Sequence, residues 1–269
     1  MTVYCLGAKR DDEKRRTQKQ ARDFLRALHV GAPMPGLWSL ESHEGPILDQ
    51  GQTSSCTAHG TAQILMTNAS VAGEPLPWVP STTALYAVTR SIERQGQLNQ
   101  PLSDSGAFPA DVMAALEQWG VSPSRVSGAS DISPSTVNDE ADLMSLEQGA
   151  LNLFAPEYRI DEYASDVVSQ VMQALVGGFA VGTSFFADSA FMSYEGGAPV
   201  GAPNQSGPGG GHWTVLTSYR TADDGSIVFR GPNSWGLSYG DKGHHEVTTD
   251  WLRACWDLYT GPTPRKLSP

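Results

Sequence analysis

Apolar residues change their spacing along this chain. Through the first two thirds they recur at intervals of three and four, and beyond that they gather in short β-branched and aromatic runs. Ala21, Phe24, Leu25 and Leu28 make a short helical stripe. A proline- and glycine-marked lead-in follows over 31–46. Ala58, Ala62, Leu65 and Ala69 then share one face, with Ile64 beside them, and predict a helix over about 56–70. A second helix is expected after VAGEPLPWVP, capped by Ser81 or Thr82. A third carries Val112, Ala115, Leu116 and Trp119 inward and closes at Gly120. Residues 122–165 hold little pattern beyond a short helix expected near 139–150, and Val167, Val168, Val171, Met172 and Leu175 mark one more helix.

FAVGTSFF opens the β-rich part. Two further strands, His212–Tyr219 and Ser226–Arg230, are joined by a turn over Thr221–Gly225, and GLSYGDKGHHEVTTDWL adds a loop and a strand. Between FAVGTSFF and His212 lies the excursion 195–211, with seven glycines. No helix follows that excursion and no lysine is placed to grip phosphate, so it reads as a flexible hairpin that could also edge a binding cleft. The pattern divides the chain into an arm at 1–32, a mainly helical part at 33–165 and a β-rich part at 166–269.

Charge adds one feature. The net charge is −11, which argues against a nucleic-acid partner. Yet residues 9–28 hold eight Lys/Arg against four acids, so a basic arm is attached to a body with 10 basic and 25 acidic residues. The arm is expected either to dock as a helix on the acidic body or to engage a partner or the chain's own cleft. No apolar run reaches the roughly 18–20 residues of a membrane span, and the start of the chain does not read as a signal peptide. Cys5, Cys56 and Cys255 are too few for a disulfide framework, which suits a reducing compartment, cytoplasmic or within a larger intracellular or virion assembly.

Candidate chemistry centres on QGQTSSCTAHGTA (50–62), where Cys56 stands at the predicted start of a helix. Unpaired N–H groups and the helix dipole there are expected to lower a thiol pKa. Gln50 supplies an amide able to hold a developing oxyanion. His212 begins a β-branched run, and Asn233 ends the next within IVFRGPNSWG. Together they supply nucleophile, base and a residue to orient the base. His244 and His245 are adjacent, would face opposite sides of a strand and lack further ligands, so no metal or other cofactor is expected.

Gln50, Ser55-Cys56, Gly211-His212 and Asn233-Ser234-Trp235-Gly236, in that order, resemble the papain family of cysteine peptidases. The block Gly106-Ala107-Phe108-Pro109 is similar to that family's substrate-pairing segment, and its form here to the bacterial and phage-type branch. The resemblance implies an α+β, two-lobe fold: a helical lobe with a central helix carrying Cys56, facing an antiparallel β-barrel-like lobe with His212 and Asn233. It implies peptide-bond hydrolysis through Cys56, His212 and Asn233, with Gln50 in the oxyanion hole, and a peptide or protein as partner. Gly106 and Ala107 would pair with substrate, Trp235 would shield the His212–Asn233 bond, and Trp213 would narrow the cleft. Thr53 stands where secreted relatives carry a disulfide cysteine, and Ser54 replaces a glycine. A catalytically weak assembly component keeping the fold, or another thiol acyltransferase or amidase, are the competing readings.

Overall fold

The computed structural model describes residues 4–10, 21, 25, 33–93, 102–138, 153–154, 158–261 and 265–266. The helix expected near 139–150, and Phe24 and Leu28 of the arm stripe, lie outside them. The helical lobe contains α1 (Cys56–Val71), α2 (Thr82–Glu93) and α3 (Pro109–Trp119). Ser81 caps α2, its hydroxyl accepting from the Ala84 N–H at 3.1 Å. Gly120, with φ 72°, ends α3.

The predicted single apolar stripe of α1 understates its burial, for the helix is covered on every side from Cys56 to Ala69. Its small residues permit that. A Cβ at Gly60 would overlap the Trp213 ring, and so would one at Gly182 of the facing strand. Trp213 is therefore wedged between helix and strand, fully buried in the core shared with Tyr86, Leu85 and Tyr259. Its side chain therefore does not narrow the cleft, contrary to the expectation from sequence. On a strand, neighbours alternate faces, and His212 takes the other one.

The β-rich lobe is built on two antiparallel four-stranded sheets, which also draw in strands from outside 166–269, and a two-stranded pair joins Leu153–Phe154 to Arg265–Lys266. One runs in the order β1 (Leu37–Ser39), β5 (Ser218–Thr221), β6 (Ile227–Pro232), β7 (His244–Thr248). The other runs β2 (Tyr158–Ile160), β8 (Asp257–Thr260), β3 (Val181–Asp188), β4 (Gly209–Leu216). β3 and β4 pair over eight residues, from Val181↔Leu216 to Asp188↔Gly209, with Phe185 opposite His212. α4 (Val167–Val176) packs on this lobe. Its core holds Phe185, Phe191, Tyr239, Trp251 and, from the arm, Ala21 and Leu25. The glycine-rich excursion is pinned rather than loose, because Val200 N–H bonds to Glu246 O at 2.8 Å and Asn204 N–H to Asp188 Oδ2 at 2.8 Å.

Candidate active site

Cys56 is the first residue of α1, reached through a loop whose polar side chains are satisfied internally. Thr53 Oγ1 donates to Gln50 O at 2.7 Å, and the Thr53 and Ser55 hydroxyls lie 2.6 Å apart. One turn into the helix, His59 Nδ1 meets Ser55 O at 2.9 Å and Nε2 meets Ser130 Oγ at 2.8 Å. A carbonyl only accepts, so Nδ1 carries the proton and Ser130 donates to Nε2. Thr82 and the Asp131 carboxylate continue this chain to the start of α2. The buried network fixes the backbone that presents Cys56, since each half-satisfied member would be costly. His59 was not singled out by sequence. Its only signal is its place one turn after the cysteine.

From the other lobe, β4 brings His212 and the end of β6 brings Asn233. His212 Nε2 lies 2.8 Å from Asn233 Oδ1, leaving the buried Nδ1 without a hydrogen-bond partner among the described residues. The amide oxygen accepts, so Nε2 bears the proton and Nδ1 offers its lone pair. Trp235 stacks on the imidazole with centroids 4.4 Å apart. Ser234 ties the lobes together: its hydroxyl donates to Gln50 Oε1 at 2.6 Å, and its carbonyl accepts from Gln50 N–H at 2.9 Å. Gln50 Nε2 is thereby turned toward the cleft.

The cleft is filled by the chain's own segment 4–10. Gln50 Nε2 donates to Cys5 O at 3.0 Å. Ala8 N–H bonds to Gly211 O at 3.0 Å, Ala107 N–H to Gly7 O at 2.8 Å, and Lys9 N–H to Ala107 O at 3.0 Å, which makes a parallel bridge between Ala8 and Ala107. Tyr4 stacks on Trp235 at 4.0 Å, opposite the imidazole. Leu6 lies over Gly210. Thus Gln50, Gly106, Ala107 and Trp235 gather around an extended peptide. Asp104 joins both walls of this groove, accepting from Ser54 N–H at 2.9 Å and from Tyr86 OH at 2.9 Å, while Tyr86 OH accepts from Gly106 N–H.

Occlusion reverses the electrostatics expected for a cysteine at a helix start. Burial pushes the Cys56 thiol up to about 11, against backbone N–H groups of Trp213, Gly7 and Thr57 that favour the thiolate. Burial likewise pushes His212 down to about 4, against its bond to Asn233. With the segment in place, both groups are neutral at pH 7 and the sulfur is a weak nucleophile.

Burial also holds His59 at about 4 and His245 well below its ordinary value. A histidine whose folded pKa lies below the unfolded value of about 6.5 binds fewer protons folded than unfolded. Its contribution is therefore complete above pH 6.5 and is lost as pH falls toward 4. At about 1.4 kcal/mol per pH unit, His59 and His212 each forfeit on the order of 3 kcal/mol across that window. His244 has the opposite sign. Despite burial, the Glu44 carboxylate at 2.7 Å raises its pKa, and its contribution fades as pH climbs above 6.5. Calorimetry should show the melting temperature falling steadily from pH 6.5 to 4, and a flat profile there would contradict neutral buried imidazoles.

This architecture is the papain-like cysteine protease fold. Xylellain, a cysteine protease from Xylella fastidiosa, superposes with a TM-score of 0.71 at 19% identity, covering 97% of this chain and 96% of that one. ProCathepsin B S9 from Trypanosoma congolense gives 0.68 at 13% identity, covering 97% and 87%. In sequence, Cathepsin B-like CP3 of Giardia intestinalis is 32% identical over 120 residues, 45% of this chain but 36% of that protein's length. No family model matches the chain.

Proposed function

We propose that this protein is a cysteine peptidase of the bacterial and phage-type branch of the papain-like enzymes, held closed by segment 4–10. Peptides or proteins are its substrates, and an intracellular setting suits its free cysteines. The observation that carries the reading is the extended peptide already lying in the groove, with the Cys5 carbonyl on the Gln50 amide. When the segment leaves, water and the helix dipole stabilise the thiolate. The Cys56 proton moves to His212 Nδ1, and the sulfur adds to the scissile carbonyl. Gln50 Nε2 and the Cys56 N–H hold the oxyanion. His212 then returns its proton to the leaving amine, and water hydrolyses the thioester. Asn233 keeps the imidazole facing the sulfur throughout, and Trp235 covers that bond. Thr53 and the three free cysteines support the branch assignment.

A second reading draws on the filled groove itself: a papain-fold component that keeps its cleft shut and serves in assembly. Reaction with an electrophilic peptidyl epoxide separates the two. On gradual displacement of the segment by the probe, the adduct should map by mass spectrometry to Cys56 and disappear in His212→Ala. Failure to label Cys56 even with the cleft opened would favour the assembly reading.

A further inference from the structure

The side chain of Lys9 identifies a pocket at the outer end of the groove. Its Nζ lies 2.7 Å from Glu93 Oε2 and 3.4 Å from Ser105 Oγ. The same ammonium stands 5.2 Å from the centroid of the Phe108 ring. Glu93 Oε1 is held separately, accepting from the Phe108 N–H at 2.8 Å, so the carboxylate is aimed before any cation arrives. Carboxylate, hydroxyl and aromatic face together form a cage for one cation.

Glu93 belongs to α2. Lys9 reaches it because Lys9 N–H is bonded to Ala107 O, the groove edge along which an extended peptide pairs. A side chain at that place in a bound peptide is delivered to the same wall.

We infer that Glu93, Ser105 and Phe108 form a specificity subsite for a lysine or arginine side chain of a bound peptide, occupied in the closed form by Lys9. The inference rests on the peptidase reading for its catalytic consequence but not for the binding itself. The substrates are therefore basic peptides, and Lys9 is the competitor they displace. Their charge also suits an acidic body.

The test uses the full chain and fluorescein-labelled peptides in which lysine is moved through each position in turn, with norleucine as its uncharged match. Binding to Cys56→Ala is followed by anisotropy, and turnover by the unaltered chain by fluorescence release. Because segment 4–10 competes with both peptides alike, the lysine-to-norleucine ratio reports the subsite alone. At one position lysine should bind about tenfold tighter than norleucine, with the preference shrinking at high salt. Glu93→Gln, which still accepts from Phe108 N–H, should bring that ratio near one. Equal binding at every position, no binding of either peptide, or a preference that survives Glu93→Gln overturns the inference. Preferential binding without any turnover leaves the subsite standing and sinks the peptidase reading instead.

Discussion

Gly7→Val should raise the rate at which the full chain hydrolyses a peptide by at least about tenfold. A Cβ at this residue would overlap the carbonyl oxygen and carbon of Ser54. Ser54 has nowhere to retreat, since its N–H is held by Asp104 and its neighbours Thr53 and Ser55 are locked in the buried network behind Cys56. The segment must lift. What opposes lifting is a handful of main-chain bonds, at Ala8, Lys9, Ala107 and Gln50, each worth about 1 kcal/mol net, together with the Tyr4 stack and the Lys9 ion pair. A steric penalty of a few kcal/mol is of the same order, enough to move a mostly closed population toward an open one. Alkylation should change in parallel. In the unaltered chain half-buried Cys5 reacts before buried Cys56, and in the variant Cys56 becomes the fastest of the three. Unchanged turnover and unchanged Cys56 reactivity, in a variant that melts at the usual temperature, would refute the blocking role of the segment.

The largest loss is expected from Cys56→Ala in the Gly7→Val background, which should reduce turnover by at least about a thousandfold while leaving peptide binding intact. Among the described residues, nothing else in the groove replaces the sulfur. Cys255 is buried in the other lobe's core with its thiol pKa pushed well up by that burial, and Cys5 leaves with the segment. Adding His212→Ala to Cys56→Ala should cost almost nothing further, because the two act as one unit. Comparable costs that multiply in the double variant would mean that these residues do not share a reaction. Retention of more than about a tenth of the activity in Cys56→Ala would remove the sulfur from the chemistry altogether.

How much of this was legible in sequence depends on whether a residue acts through its side chain or its backbone. Cys56, His212, Asn233 and Gln50 were legible as side-chain types standing in motifs that resemble the papain family. Only Cys56, opening α1, and Asn233, just after β6, stand at element ends, while His212 lies within β4 and Gln50 in the loop before α1. The helices over 56–71, 82–93 and 109–119 were likewise readable from spacing and caps. Segment 4–10 was not, because YCLGAKR has no period and engages the groove mainly through N–H and C=O groups that every residue possesses. The thiol pKa was misjudged for the same reason. A helix start lowers it, but the covering peptide removes the water on which that effect depends. Trp213 was placed in the cleft by adjacency to His212, although strand alternation and the glycines at 60 and 182 argue for the core. His59 could not be told from any lone histidine until its partners Ser55 and Ser130 were in view.

Tyr4 lies flat on Trp235, whose other face is covered by His212. An indole clamped between a phenol and an imidazole has little contact with water, and Trp235 is 3% exposed. Departure of the segment strips one face of that sandwich and wets the ring. Its emission then moves to longer wavelength and loses the excitation energy that Tyr4 passes to it. The latch is thus its own dye, and cleft opening can be timed in a stopped-flow fluorimeter without labelling the protein or offering it a substrate.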